Sequence, residues 1–265
     1  MKRRGIIIAG GSGTRLKPLT DVVSKQLLPV YDKPMIYYPL CTLMQANIQE
    51  ILIITAQGMK LQYSNLLSDG SQWGINISYT EQPRPEGIAQ ALILAEDFLD
   101  GHPAALILGD NIFYGGNIRY LLKTVDDRSS GATIFSYHVN DPQRYGIVEL
   151  DGENSDKVLS IEEKPKFPKS QLAVTGLYFY DEKAVEYAKR LKPSDRGELE
   201  ITDLNKLYLE TDDLYCIVFE QGCAWLDMGT FDSLLDAAHF VKTIQHRQGL
   251  IIASPEQTAI ECGFV

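Results

Sequence analysis

The stretch Arg4-Gly5-Ile6-Ile7-Ile8-Ala9-Gly10-Gly11-Ser12-Gly13-Thr14-Arg15-Leu16 decides how this 265-residue chain is read. Ile6, Ile7 and Ile8 form a continuous β-branched run, the pattern of a strand buried on both faces of an α/β sheet. The run breaks directly into glycines, where the backbone can approach a ligand closely. Gly10, Gly11 and Gly13 leave backbone N–H groups able to face an anion. Ser12 and Thr14 add hydroxyl donors, and Arg15 adds a permanent charge on a planar fork of donors. Such a loop suits a polyphosphate with a cation held against it. It is not a P-loop, because no Gly-Lys-Ser/Thr follows, and not a dinucleotide motif, because Leu16 stands where the third glycine belongs. A purely structural turn is the other reading of the glycines taken alone.

Composition narrows the class. The formal net charge is −10, so the chain has no global attraction for nucleic acid, and a polyanionic ligand would need local Lys and Arg plus a divalent cation. No apolar run reaches the roughly 18 residues a membrane span requires, and Met1-Lys2-Arg3-Arg4 runs into the first strand without a signal-peptide pattern. Cys41, Cys216, Cys223 and Cys262 lack metal-type CxxC spacing, which points to ordinary thiols and a reducing cytoplasm. No repeat, low-complexity segment or linker stands out.

Apolar strands alternate with helical patterns as far as about residue 137. Strands are expected at Glu50 to Thr55, Ile75 to Tyr79, Ala104 to Leu108 and Ala132 to Tyr137. Helices are expected around Ile36 to Met44, at Met59 to Leu67, and along the face Ile88, Ala91, Leu92, Ala95 and Leu99. This alternation predicts an α/β fold with a Rossmann-like, doubly wound, mostly parallel sheet, its ligands at the carboxyl ends of the strands. Beyond residue 140 the strands Gly146 to Leu150, Val158 to Glu162 and Val174 to Tyr180 follow with little helix between them, as a small antiparallel or mixed extension. Helices return at Glu182 to Leu191 and Asp203 to Leu209. Further strands are expected at Cys216 to Phe219 and Ala224 to Leu226. A last amphipathic helix carries Phe231, Leu234, Leu235, Ala238 and Val241 on one face, with Thr230 as its N-cap.

Several residues have the chemistry of a site. Asp110, in Leu108-Gly109-Asp110-Asn111, and Asp227, in Leu226-Asp227-Met228-Gly229, each stand where an apolar strand ends. Two such carboxylates suit one Mg²⁺, a hard cation that keeps waters and substrate phosphates; turn residues ahead of a helix are the alternative. The Gln82 carboxamide offers a donor and an acceptor that match the imide edge of thymine or uracil. In Glu162-Glu163-Lys164-Pro165, Glu163 can accept from sugar hydroxyls while Lys164 pairs with a sugar phosphate, and an exposed Glu–Lys face is the plainer reading. Arg196, in a loop after Pro193-Ser194-Asp195, adds a second positive charge.

The opening loop, Pro18-Leu19-Thr20, Ser24-Lys25-Gln26-Leu27-Leu28-Pro29-Val30 and Asp32-Lys33-Pro34-Met35-Ile36-Tyr37-Tyr38-Pro39-Leu40 together resemble the signature of the sugar-phosphate nucleotidyltransferases. Tyr145-Gly146-Ile147, Glu163-Lys164, Val174-Thr175-Gly176-Leu177-Tyr178 and Arg196 to Thr202 extend the resemblance, which runs from about residue 5 to the C-terminus. The resemblance implies that Gly10, Gly11, Gly13, Thr14 and Arg15 wrap the nucleoside triphosphate, with Lys25, Gln26 and Asp110 against it and Gln82 and Gly87 on the base. It implies that Asn111, Gly146, Glu163, Lys164, Val174, Tyr178 and Arg196 bind the sugar phosphate. Asp110 and Asp227 match the family's Mg²⁺ ligands, and Arg15, Lys25, Asp110, Lys164 and Asp227 form the catalytic set.

The implied activity is thymidylyl transfer from dTTP to α-D-glucose 1-phosphate with release of pyrophosphate, by in-line attack and without a protein nucleophile. Uridylyl transfer is the alternative within this chemistry. A non-catalytic sugar-nucleotide binding module and a nicotinamide oxidoreductase are the alternatives outside it. The resemblance also implies a cytoplasmic homo-oligomer, a dimer or tetramer, without nucleic-acid or membrane partners; Tyr37, Tyr38 and the C-terminal helix offer apolar surface for it. A catalytic domain over residues 1–230 is expected, with a nucleotide part at 1–140 and a sugar part at 141–230. The segment 231–265 is expected as helix packed on that domain. Lys17, the segment Ala56 to Leu61, Cys223, Met228 and Phe231 depart from the family pattern. Longer members continue into more helix, including part of an allosteric pocket.

Overall fold

The computed structural model describes residues 2–11, 13–126, 128, 130–152 and 155–265. Along the chain the elements are β1 (Arg4–Ala9), β2 (Pro29–Val30), β3 (Lys33–Pro34), α1 (Tyr37–Gln45), β4 (Glu50–Ala56), α2 (Lys60–Leu67) and β5 (Asn76–Gln82). Next come α3 (Gln90–Leu94), α4 (Glu96–Leu99), β6 (Ala104–Leu108), β7 (Asn111–Tyr114), α5 (Ile118–Asp126), β8 (Ala132–His138) and β9 (Gly146–Leu150). The remainder are β10 (Val158–Glu163), β11 (Leu172–Tyr180), α6 (Ala184–Arg190), α7 (Ile201–Glu210), β12 (Leu214–Val218), β13 (Ala224–Asp227), α8 (Phe231–Gln248) and α9 (Pro255–Cys262). The class is the expected one, a mixed sheet with helices packed on it.

Two compact units emerge from the packing. The first comprises Arg4–Pro85, Ile107–Lys123 and Ala224–Val265; the second comprises Met1–Arg3, Glu86–Leu106 and Thr124–Cys223. A division at residue 140 follows the chain, whereas these units interleave: the chain passes from one to the other within β6. Residues 231–265 belong to the body of the first unit.

In the first unit β1, β4 and β5 run parallel, with Ile7 opposite Ile53 and Ile53 opposite Tyr79. Ile6, Ile7, Ile51, Ile53 and Ile54 have no exposed surface, as their unbroken apolar runs require. In the two-stranded antiparallel ribbon of β7 against β13, a strand at Ala224 to Leu226 is expected from the sequence, whereas its partner Asn111-Ile112-Phe113-Tyr114 is not. Below it Val30, Met35, Tyr38, Ile112, Met228, Ala237, Val241 and Ile252 form one buried cluster. Met228 therefore departs from the family pattern inside the core.

Two expectations are corrected here. Tyr38 is not interface surface: it is buried, and its hydroxyl donates to the Val30 carbonyl at 2.9 Å. On α8 the buried positions are Ala237, Val241 and Gln245, while Phe231 and Leu235 are 48% and 55% exposed. A polar residue occupies the core line because Gln245 is fully engaged. It donates to Asp32 at 3.0 Å and accepts from the Ile252 N–H at 2.9 Å.

In the second unit β11 runs antiparallel to both β8 and β9, β9 antiparallel to β10, and β12 parallel to β8. This is the mixed extension expected beyond residue 140. Phe135 stacks on Phe219 at 5.3 Å and Tyr180 on Tyr208 at 5.6 Å in its core. The helix expected from Ile88 to Leu99 divides into α3 and α4 at Ala95, whose ψ of 3° leaves the helical range. Among the described residues no helix is long and apolar enough to cross a membrane.

Thr230 caps α8 as expected, in a full capping box: its Oγ1 accepts from the Ser233 N–H at 3.2 Å, and its own N–H donates to Ser233 Oγ at 3.0 Å. Thr230→Ala removes the first of these bonds. It should cost about 1 kcal/mol, seen as a fall of about 2–4 °C in a thermal melt with the fold retained.

Candidate active site

In the first unit the glycine loop follows β1. Gly13 sits in the left-handed region at φ 59°, where a side chain would also meet Thr20 Cγ2 at 2.9 Å. Thr20 donates to the Gly13 carbonyl at 2.8 Å and fixes the turn. A Cβ on Gly10 would lie 2.2 Å from Gln82 Oε1, so glycine is what lets the buried Gln82 carboxamide rest against the loop. Gly11 and Thr14 are exposed, and a Cβ on Gly11 would meet nothing within 4 Å, so no protein contact demands glycine there. Ser12 lies outside the described residues. The Arg15 side chain is exposed and has no hydrogen-bond or ion-pair partner among the described residues.

Lys25, 10% exposed, reaches across to Asp110 and forms a short ion pair with its Oδ2. The neighbours of Lys25 are pinned from below. Gln26 is 4% exposed, and its Oε1 accepts from Ser24 Oγ at 3.2 Å and from Tyr63 Oη at 3.1 Å. Gly109 lies over the same carboxamide arm: a Cβ there would be 2.9 Å from Gln26 Cγ and 2.6 Å from the Ile8 carbonyl oxygen. The Gly109 N–H donates to that carbonyl at 2.8 Å, which places Asp110 at the end of β1. Gln26 thus supports the Lys25–Asp110 pair, a use of its carboxamide that the sequence did not reveal.

Asp227 joins this cluster through the β7–β13 ribbon. It pairs with Asn111, the residue after Asp110, and the Met228 N–H donates to the Asp110 carbonyl at 3.0 Å. Asn111 is buried, donates to Asp110 Oδ1 at 2.9 Å and accepts from Trp225 Nε1 at 2.6 Å. Gly229 brings in the glycine loop's cation: a Cβ there would stand 3.3 Å from Arg15 Nη1 and 3.6 Å from Asp227 Oδ2. Among the described residues no three His, Cys, Asp or Glu converge to cage a metal. A pair of carboxylates on one ribbon suits Mg²⁺, which draws its remaining oxygens from water and substrate.

The second unit carries the other predicted group. Glu163 ends β10 opposite Gly146 of β9. A Cβ on Gly146 would lie 3.3 Å from both Glu163 Oε2 and Thr202 Oγ1, and 4.0 Å from Val174 Cβ, so those three side chains converge on the glycine. Thr202 donates to Glu163 Oε2 at 2.7 Å, and Lys164 Nζ lies 3.1 Å from Glu163 Oε1. Lys164 adopts φ 44°, a conformation that costs a non-glycine residue about 1–3 kcal/mol. Its N–H donates to the Tyr145 carbonyl at 3.0 Å.

Arg196 is held by Glu200 and, at 3.5 Å, by Glu163. Burial alone would lower its pKa, but the hydrogen bond to Glu200 and the charges of Glu200, Glu198 and Glu163 carry it above the usual value. Tyr178, assigned to the sugar phosphate, is buried and stacks on Tyr180 at 6.1 Å; burial first, then the Glu163 charge, holds its hydroxyl protonated.

Gly87 makes no side-chain contact; it is glycine because φ is 105° and a Cβ would lie 2.4 Å from the Leu199 carbonyl oxygen. The Leu199 N–H donates to the Glu86 carbonyl at 2.7 Å, so the Gly87 turn is bonded to the segment carrying Arg196. Ser24, Tyr63, Trp225, Ser194, Glu200 and Thr202 are the parts sequence reasoning missed. Thr202 and Glu200 stood inside a quoted motif; Tyr63 carried no local signal.

The profile of the nucleotidyl transferase family matches residues 4–244. Glucose-1-phosphate thymidylyltransferase of Xanthomonas campestris pv. campestris strain B100 is 56% identical over 264 residues, covering 100% of this chain and 89% of that protein. The enzyme of the same name from Mycolicibacterium smegmatis is 53% identical over 262 residues, covering 99% and 90%. Among solved structures, a Bacillus anthracis protein assigned as a glucose-1-phosphate thymidylyltransferase, crystallised with sucrose, superposes with a TM-score of 0.82 at 43% identity, over 90% of this chain and 94% of that one. A UDP-glucose pyrophosphorylase bound to UDP-glucose shares the fold, with a TM-score of 0.79 at 23% identity, over 92% and 100%. With a family profile spanning most of its length, full-length relatives above half identity and the glycine loop, Lys25 and paired aspartates in place, this chain belongs to the nucleotidyl transferase family.

Proposed function

We propose that the protein transfers a thymidylyl group from dTTP to α-D-glucose 1-phosphate, releasing pyrophosphate. The observation that carries this reading is Arg15, an unpartnered guanidinium among the described residues, beside Asp227 at Gly229 and on the loop that opens after β1. A polyphosphate is the ligand that satisfies such a cation, and the names of the relatives supply the nucleotide and the sugar.

In this reading the glycine loop and Arg15 bind the β- and γ-phosphates, and Gln82 faces the base with Gly87 shaping the turn beyond it. Gln26 and Tyr63 keep Lys25 on Asp110. Glu163 accepts from sugar hydroxyls, while Lys164 and Arg196 orient the sugar phosphate, with Gly146, Val174 and Tyr178 completing its surroundings. A sugar-phosphate oxygen attacks the α-phosphorus as the bond to pyrophosphate breaks. Arg15 and Lys25 meet the negative charge that grows on the leaving oxygens, where stabilisation accelerates most. Asp110 and Asp227 are the residues that would hold Mg²⁺, whose chemistry here is charge neutralisation on the phosphates.

The cytoplasm is the compartment that fits four free thiols, of which Cys41 is fully buried and pushed by that burial up to about 12. A homo-oligomer is proposed on the exposed apolar side chains Phe231, Leu235, Ile251 and Ile260. Small-angle scattering at micromolar concentration should then give a multiple of the chain mass, and a monomer mass would refute it.

The deciding assay is pyrophosphate release on mixing the protein with dTTP, Mg²⁺ and glucose 1-phosphate. Release is expected with dTTP and not with ATP. Asp227→Asn should lower turnover at least about a hundredfold at any Mg²⁺ concentration while the melting temperature stays within a few degrees. Near-normal turnover of that variant at low Mg²⁺ would remove Asp227 from the site.

A further inference from the structure

The loop that presents Arg196 contains a carboxylate that the proposed chemistry does not use. Arg196 directs one edge of its guanidinium at Glu200: Nε donates to Oε1 at 3.2 Å, and Nη2 to Oε1 and Oε2 at 2.8 and 2.9 Å. Nη2 also reaches Glu163 Oε1 at 3.5 Å, whereas Nη1 makes no hydrogen bond among the described residues. Glu200 is itself immobilised. It is the N-cap residue of α7, its side chain is 12% exposed, and Ser194 Oγ donates to its Oε1 at 2.7 Å. The same hydroxyl accepts from the Arg196 N–H at 3.3 Å. The loop closes on itself through Ser194 N–H to the Glu198 carbonyl at 2.9 Å and Gly197 N–H to the Ser194 carbonyl at 2.8 Å.

The charge balance makes this edge informative. Lys164 and Arg196 stand among Glu163, Glu198 and Glu200, so carboxylates outnumber cations by one. An anion bound here gains nothing from surplus positive charge, and capture must come from donors aimed at it. We propose that Glu200 is a positioning residue for the sugar phosphate: it grips the Nε–Nη2 edge of Arg196 and so leaves the Nη1 amino group as the donor for the phosphate.

Without that grip the guanidinium would close onto Glu163, already 3.5 Å away, and compete with Lys164 for it. Both the phosphate donor and the acceptor for sugar hydroxyls would be lost together. An exposed ion pair that merely decorates the loop contributes little and would not touch one substrate selectively.

This inference rests on the assignment of Arg196 to the sugar phosphate. Wild-type turnover tests that function, and calorimetric titration with glucose 1-phosphate tests the positioning role separately. Glu200→Gln keeps the shape but turns an N–H towards Nη2 and removes the charge. It should weaken glucose 1-phosphate binding and raise its KM about tenfold, with the KM for dTTP unchanged and kcat lowered less than the KM rises. In an Arg196→Ala background the same substitution should have no further effect, because Glu200 acts through Arg196. Should Glu200→Gln fail to fold, Glu200→Asp, one methylene short of spanning both nitrogens, supplies the same comparison. Unchanged glucose 1-phosphate binding in the single variant would overturn the proposal. So would an equal tenfold loss in the Arg196→Ala background, or a matching loss of dTTP affinity.

Discussion

The backbone pairing of β7 with β13 is the constraint on which the placement of Asp110 and Asp227 depends. Asp110 and Asp227 are far apart in sequence, and neither has a local reason to meet the other. The register that sets Asp227 opposite Asn111, and the Met228 N–H on the Asp110 carbonyl, bring both carboxylates to one end of one ribbon. The ribbon is held in turn by apolar side chains: Ile112 and Met228 are fully buried in the cluster that also takes Tyr38 and Val241. Through Gly229 the same ribbon end meets the guanidinium of the opening loop. Core packing, strand register and chemistry are thus one argument in this unit.

Charge is handled differently in the two units. In the first, Lys25 is paired with Asp110, while Arg15 has no ion-pair partner among the described residues. In the second, Lys164 and Arg196 are both engaged by carboxylates. The left-handed backbone of Lys164 belongs to the same economy. Its N–H is spent on the Tyr145 carbonyl, and its side chain is delivered next to Glu163 at the end of β10.

Much of this was legible in the sequence, for physical reasons. The isoleucine run must be a doubly buried strand, the glycines must end it, and Thr230 has the spacing of a cap; each is a local property. Glu163, Lys164 and the two aspartates stand out in the sequence by their chemistry and by the family pattern together. What stayed hidden depends on contacts made across the chain. The β7–β13 ribbon needs a distant partner strand before Asn111-Ile112-Phe113-Tyr114 has any reason to extend. Tyr63 lies on α2, remote in sequence from the Ser24 and Gln26 it supports, and Gln245 is buried on α8 by bonds to Asp32 and Ile252 that no local pattern announces.

The central claim is a division of labour: the first unit's cations serve the triphosphate and the second unit's serve the sugar phosphate. Steady-state kinetics of Arg15→Ala and Lys164→Ala, with dTTP and glucose 1-phosphate varied in turn, tests it most directly. Arg15→Ala should depress kcat most, and Lys164→Ala should raise the KM for glucose 1-phosphate with little change in that for dTTP. A Lys164→Ala enzyme that bound dTTP poorly and glucose 1-phosphate normally would contradict the account.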